Sequence, residues 1–237
     1  MDTDRSAAGN PRSAAGSRST ARRPRGAVRD GLIAAGLELA RTGGPDAVVL
    51  REATRIVGVV PNAAYRHFAD RDELLAAVCA AAMGELGARM AAALARVPGE
   101  RGDADGAFGR LGAVGAAYLA FAREEPGLFA TAFAVPDQHP YVVPDGVRGA
   151  DGAQGADSSP LGQLRDVLDE LVEAGLLDPR RRECVEFPVW STVHGLAVLI
   201  EQGPLRVAPE AEIRVLTDRV LGFIAESLLA PGGTADA

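Results

Sequence analysis

The chain has 237 residues, of which 47% are hydrophobic and 24% charged, and its net charge is −7. This composition is ordinary for a globular protein that can bury a sizeable core. The two cysteines (Cys79, Cys184) and three histidines (His67, His139, His194) are too scattered for a disulfide scaffold or a zinc module. No uninterrupted apolar run is long enough to predict a membrane span, and no signal peptide is recognisable. We expect a cytoplasmic protein without cofactor or metal.

The first part of the chain differs sharply in charge from the rest. Residues 1–24 are low-complexity Ser, Ala, Gly, Arg and Pro, which predicts disorder. Residues 1–29 carry seven Arg against two Asp, a net charge of +5, whereas residues 30–237 carry −12. A basic arm on an acidic body indicates contact with a polyanion, although a merely solvated tail has the same composition.

The first periodic segments predict a helix-turn-helix. From Arg25 onward, apolar residues recur three or four positions apart, and this helix ends at Thr42-Gly43-Gly44-Pro45. Two short helices, over 48–57 and 62–67, then flank Gly58-Val59-Val60, where glycine allows the turn.

The segment after this turn predicts how the short helix is held in place. Tyr65 and Phe68 are its expected anchors to the scaffold. Asp70 and Glu73 have the spacing of a capping box, which predicts the start of a long helix over 71–97.

The second half of the chain continues the helical pattern. A loop over 134–160, rich in Pro and Gly, is predicted to be mobile, and residues 231–237 are predicted to be a disordered tail. The further predicted helices lie over 105–125, 126–133, 160–175, 182–200 and 209–229. No alternating run predicts a sheet. We therefore predict an all-α fold of about nine helices, with a three-helix domain over 25–73 and a larger regulatory and dimerisation domain over 74–230.

One motif carries a family resemblance. Tyr65-Arg66-His67-Phe68, followed by Arg71 and then Glu73-Leu74-Leu75, resembles the end of the DNA-binding domain of TetR-family transcriptional regulators. The resemblance implies a homodimer that binds a near-palindromic operator, acts as a repressor, and is released by a small-molecule effector.

The resemblance also implies roles for individual residues on the DNA. Side chains that would contact phosphates are Arg51, Tyr65, His67 and Arg71. Those that would face base edges in the major groove are Asn62, Ala63 and Arg66. Arg25, together with Arg22 and Arg23 of the basic tail, would follow the DNA backbone or enter the minor groove, or else remain solvated.

Two positions depart from the family pattern. Family members usually carry Ser or Thr before both helices of the motif, where Val49 and Val60 stand here. Valine cannot accept hydrogen bonds from the first helical N–H groups, a loss of about 1 kcal/mol per cap. We expect weaker or altered operator binding, partly offset by Pro61 at the first helical position.

A narrower resemblance lies in the second half. Segments 117–122 and 126–129, with Trp190 and His194-Gly195, look like the regulatory domain named after a Trp-His-Gly signature. The candidate effector contacts are Tyr118, Phe121, Phe129, Phe133, Trp190 and His194. The same side chains could also be ordinary core, and His194 a satisfied core histidine. The last two helices would form the dimer interface through their apolar faces, which carry Leu196, Leu199, Val215, Leu216, Val220, Ile224 and Leu228.

The sequence also bears on two other classes of function. Ser191 and His194 lie three residues apart, but an orienting acid, an oxyanion hole, a phosphate-binding loop and a metal cluster are all missing, so we predict that the protein is not an enzyme. The remaining alternative is a DNA-binding activator or architectural factor that responds to no effector.

Overall fold

The computed structural model describes residues 25–135 and 158–229. Within them the chain forms nine α-helices and no strand, so the predicted all-α fold is confirmed. The predicted tails at 1–24 and 231–237, and all but the ends of the predicted loop over 134–160, lie outside the described residues. The helices are α1 (Arg25–Gly43), α2 (Leu50–Val57), α3 (Pro61–Ala64), α4 (Arg71–Leu94), α5 (Ala104–Glu124), α6 (Pro126–Ala132), α7 (Pro160–Glu173), α8 (Glu186–Glu201) and α9 (Glu210–Leu229).

Helices α1, α2 and α3 pack around a small apolar core. Leu32 of α1, Ala53 of α2 and Ala64 of α3 are fully buried, and Phe68 closes the core from the segment after α3. Gly58 ends α2 in the left-handed conformation, with φ of 73°, so the predicted role of this glycine in the turn is confirmed.

Helix α4 is the central helix of the larger domain. It packs against α1, α5, α6 and α7. Its fully buried side chains Leu74, Val78, Ala82 and Leu86 recur every four residues and form one apolar stripe. It is the one described helix long and apolar enough to span a membrane, and its packing is that of a core helix.

Helix boundaries differ from the sequence prediction where local backbone geometry interrupts the periodicity. A 3₁₀ turn over Pro45–Ala47 precedes α2, so the buried Val48 lies before the helix. Helix α8 begins at Glu186 instead of residue 182 because Cys184 adopts a φ of 58°, which a helix does not tolerate.

Helix α6 joins the two domains through an unusually close approach. A Cβ on Gly127 would lie 2.1 Å from the carbonyl oxygen of Ala40 and 2.7 Å from that of Arg41, so only glycine fits against the end of α1. At its other end, α6 is followed directly by Phe133, which lies among α5, α7, α8 and α9 in the interior of the larger domain. Helix α6 therefore contacts both domains.

Candidate DNA interface and effector cavity

The segment over 61–67 presents the predicted DNA-contacting side chains on the surface. Asn62, Tyr65 and Arg66 are exposed, and Ala63 and His67 are half-buried. Helix α3 itself ends at Ala64, and hydrogen bonds from the N–H groups of His67 and Phe68 to the Ala64 carbonyl oxygen continue it as a turn. The segment is therefore short, and the buried side chains of Ala64 and Phe68 pack it against the rest of the domain.

The two predicted anchors of this segment behave differently. Phe68 is 1% exposed, and the guanidinium of Arg29 lies 5.4 Å from the centre of its ring. Tyr65 is 58% exposed, so the prediction that it anchors the segment to the scaffold is wrong. An exposed Tyr65 instead suits its other predicted role, as a hydrogen-bond donor to a phosphate.

Arg51 and Arg71 have different surroundings. Arg51, in the first turn of α2, is exposed. Arg71 donates from Nε to the Val48 carbonyl oxygen at 3.0 Å and from Nη2 to the Pro45 carbonyl oxygen at 2.8 Å. Its guanidinium thus ties the start of α4 to the segment that leads into α2, and this gives Arg71 a positioning role. The side chain of Arg25 lies outside the described residues.

The unusual caps are present as predicted. Val49 and Val60 are the N-cap residues of α2 and α3, and neither helix has a side-chain cap. Pro61 fills the first position of α3, where the missing N–H has no helical partner in any case. At α4, by contrast, Asp70 accepts from the Glu73 N–H at 2.9 Å, and Glu73 accepts from the Ala69 N–H at 2.6 Å.

The larger domain contains an apolar cavity of about 180 Å³ between α4, α5, α7, α8 and α9. Three of the six predicted effector contacts, Tyr118, Phe133 and Trp190, line it. Phe129 and His194 are not part of the cavity lining but pack against Tyr118, with their ring centres 5.7 and 6.3 Å from that of Tyr118. Phe121 is not brought to the cavity: its buried ring lies beneath the Arg89 guanidinium.

A hydrogen-bonded group of three side chains lies at one wall of the cavity. Trp190 Nε1 donates to the Tyr118 hydroxyl oxygen at 3.3 Å, and the hydroxyl lies 2.7 Å from His194 Nδ1. Burial lowers the pKa of His194, so its ring is neutral at pH 7 and Nδ1 can accept the hydroxyl proton. The hydrogen-bond partner of His194 Nδ1 is thus the Tyr118 hydroxyl, whereas Ser191 is exposed on the surface of α8.

The family comparisons rest on both domains. Residues 32–78 match the family model described as bacterial regulatory proteins, tetR family, and residues 111–223 match the model described as tetracyclin repressor-like, C-terminal domain. Together the two matches cover more than half of the chain. The chain belongs to the TetR family. The narrower Trp-His-Gly assignment stays a prediction, and no curated protein matches the chain significantly.

Solved structures share the TetR-family fold over nearly their whole length. A protein of unknown function from Rhodococcus sp. RHA1 has a TM-score of 0.65 and 21% identity, covering 90% of this chain and 100% of its own. A TetR-family regulator from Pectobacterium atrosepticum has a TM-score of 0.58, 16% identity and coverage of 87% and 96%. RolR, solved in complex with resorcinol, has a TM-score of 0.57, 15% identity and coverage of 87% and 95%.

Sequence reasoning missed most of the cavity of this TetR-family protein. The missed lining includes Phe108, Leu111, Gly112 and Gly115 of α5, which lie three or four residues apart on the same face as Tyr118. A Cβ on Gly112 would meet no atom within 4 Å, so this glycine leaves open space. Gly115 is a contrasting case, because a Cβ there would lie 2.5 Å from Leu221 Cδ2, so a glycine on an apolar helix face marks either a void or a close contact and the sequence alone does not distinguish them.

The last two helices carry both core and surface apolar residues. Leu196, Ile224 and Leu228, expected at the dimer interface, are buried within the protomer, and that part of the prediction is wrong. Their side chains face the core because α8 and α9 close the larger domain. The apolar side chains that α8 and α9 do expose are Leu199, Val215, Phe223 and Leu229.

In the part of the chain that the structure describes, there is no group of three metal-ligating side chains.

Proposed function

We propose that this TetR-family protein is a homodimeric repressor that binds a near-palindromic operator and is released when a small molecule enters the cavity between α4, α5, α7, α8 and α9. The observation that carries the proposal is structural continuity between the two sites. Helix α4 begins at Arg71, beside the DNA-contacting segment, and reaches the cavity wall at Met90. Helix α6 contacts α1 through Gly127 and is followed by Phe133 at the cavity.

This continuity gives a physical route for coupling. A molecule that displaces Phe133 or Met90 shifts α6 or α4, and both helices pack against α1. Interior packing is dense, so helices move as units and do not deform locally. A coupling free energy of about 1–3 kcal/mol is enough to change operator occupancy substantially.

The DNA-binding half of the proposal follows from the exposed segment over 61–67. In a two-fold dimer, two copies of this segment enter major grooves about 34–36 Å apart or a multiple of that distance. Exposed apolar side chains on α8 and α9, such as Val215 and Phe223, support a dimer through these helices. The complex of the structurally similar RolR with resorcinol supports a small-molecule effector.

The first test is binding to the DNA that flanks the protein's own gene, measured by footprinting at two salt concentrations. We expect a protected site with two-fold symmetry. A steep salt dependence without a preferred site would indicate that only backbone contacts operate.

A second test separates an effector-released repressor from an effector-independent activator or architectural factor. Trp190→Ala is expected to alter the response to the effector and to leave operator affinity unchanged, because Trp190 lines the cavity and lies outside the DNA-binding domain. Loss of operator affinity in this variant would mean that Trp190 is only a core residue. Saturable small-molecule binding that never weakens DNA binding would favour the alternative.

A further inference from the structure

The size of the cavity limits what can occupy it. Its volume is about 180 Å³. An engineered apolar cavity of about 150 Å³ holds one benzene molecule. The cavity volume therefore matches a single six-membered ring with one or two small substituents.

The chemistry of the cavity limits the charge of its occupant. Its described lining contains no carboxylate, guanidinium or imidazole; an ionised ligand would lose its hydration without gaining a partner of opposite charge there. The polar side-chain atoms of that lining are the Tyr118 hydroxyl and Trp190 Nε1, which lie 3.3 Å apart. They form one polar spot on an otherwise apolar wall.

We infer that the effector is a neutral, single-ring molecule with one hydrogen-bonding substituent, such as a substituted phenol, whose polar group lies at Tyr118 and Trp190. This inference rests on the proposed effector role of the cavity and specifies its ligand class. A hydroxyl can donate or accept a hydrogen bond, so it can join the existing Trp190–Tyr118–His194 group without leaving any member unpartnered. A neutral ring fills the remaining apolar space.

The test uses the single tryptophan of the chain as a reporter, because Trp190 lies in the cavity wall. Trp190 fluorescence is titrated with three probes of similar size: p-cresol, toluene and benzoate. We expect p-cresol to bind about fivefold tighter than toluene, from one added hydrogen bond. We expect benzoate to bind at least about tenfold more weakly than p-cresol, from the unpaired buried charge.

Two variants test where and how the probe binds. Gly112→Leu places a side chain in the open space of the cavity and should abolish p-cresol binding, whereas Gly84→Leu, on the exposed side of α4 and also without an atom near its Cβ, should leave it unchanged. Both replace a helical glycine by leucine, so effects on helix propensity are matched. Tyr118→Phe should remove the preference for p-cresol over toluene and retain binding of the ring.

The outcomes separate this inference from the proposed function. Benzoate binding as tight as p-cresol, p-cresol binding that survives Gly112→Leu, or no response to any of the three probes would overturn the inferred ligand class. Operator release by a charged or multi-ring compound would also overturn it but would leave the effector-released repressor intact. If p-cresol binds in the cavity and operator DNA stays bound in a mobility-shift assay, the ligand class stands and effector release fails.

Discussion

The proposed DNA interface and the proposed effector cavity differ in how they arrange their candidate functional side chains. At the DNA interface they come from one continuous stretch, over 51–71, and most point outward from a small buried core. At the cavity they come from helices far apart in the sequence and surround a space, from Met90 of α4 to Ala225 of α9. Function and stability are therefore separable residue by residue at the DNA interface, whereas at the cavity the same side chains serve both.

The largest test of this difference removes the support beneath the DNA-contacting segment. Phe68→Ala deletes a fully buried ring and is expected to lower the free energy of unfolding by about 3–5 kcal/mol. Urea unfolding followed by circular dichroism measures this loss, and operator binding should fall with it because the segment over 61–67 loses its position.

The matched change on the outer surface of the same segment is Tyr65→Ala. Tyr65 is mostly exposed, so the free energy of unfolding should change by no more than about 0.5 kcal/mol. Operator affinity should still fall if Tyr65 makes the proposed phosphate contact. A stability loss in Tyr65→Ala comparable to that in Phe68→Ala would show that support and contact are not separated in this segment.

Two exposed arginines distinguish base contact from phosphate contact. Arg66→Ala is expected to lower operator affinity by about 1–3 kcal/mol and to relax sequence preference at one position, because Arg66 is predicted to face a base edge. Arg51→Ala should weaken binding to all sequences alike and reduce the salt slope by about one.

Mobility-shift titrations on operator and scrambled DNA, each at several salt concentrations, separate the two arginines. Circular dichroism confirms that both variants remain folded. If Arg51→Ala changed the sequence preference, or Arg66→Ala weakened binding to scrambled DNA equally, the two roles would have to be exchanged.

A smaller effect tests the missing caps. Val60→Ser supplies a hydroxyl to the first N–H groups of α3, and Val60 is 69% exposed, so little apolar burial is lost. We expect a gain of about 1 kcal/mol in stability, with tighter operator binding as the segment becomes better ordered. Val60→Ala, which shortens the side chain without adding an acceptor, is the control. Unchanged operator affinity in Val60→Ser would mean that Pro61 already fixes the helix start.

The contrast between the two regions also explains what the sequence could predict. The turn at Gly58, the valine caps and the cap at Asp70 depend on residues close together in the chain, and all were predicted correctly. The exposure of Tyr65 was not, because one aromatic residue at the end of a four-residue helix does not reveal whether its ring faces the core or solvent. Caps and turns could be predicted from neighbouring residues, whereas the direction in which a side chain points could be determined only from the packed structure.

The cavity was predictable only in part for a related reason. Tyr118, Phe133 and Trp190 were predicted as effector contacts because aromatic residues are few in this chain. All three line the cavity. The void itself arises from a deficit of side-chain volume, at Gly112 on α5 and Gly222 on α9, two positions 110 residues apart. A sequence pattern shows which side chains are present but not where helices leave space between them.

The subtlest test uses the histidine behind the cavity wall. Burial lowers the pKa of His194 in the folded protein, whereas an unfolded histidine titrates near about 6.5. Below that pH the unfolded chain binds the extra proton first, so acidification lowers the free energy of unfolding until pH falls below the folded pKa. Urea unfolding at pH 7.5 and at mildly acidic pH measures the loss.

A variant isolates this effect from the other ionisable groups of the larger domain. His194→Asn keeps an oxygen acceptor near the Tyr118 hydroxyl but cannot titrate, so its stability should depend less on pH than that of the wild type. Burial raises the pKa of Glu201, and its protonation opposes the effect of His194 in both proteins equally. Burial raises the pKa values of Glu170 and Glu186, but hydrogen bonds from arginine side chains and backbone N–H groups, together with the nearby arginine charges, outweigh burial and lower both pKa values. Neither carboxylate therefore contributes in this window. If wild type and His194→Asn lose stability in parallel, the acid response arises elsewhere, and the Tyr118–His194 pair tolerates the charged ring.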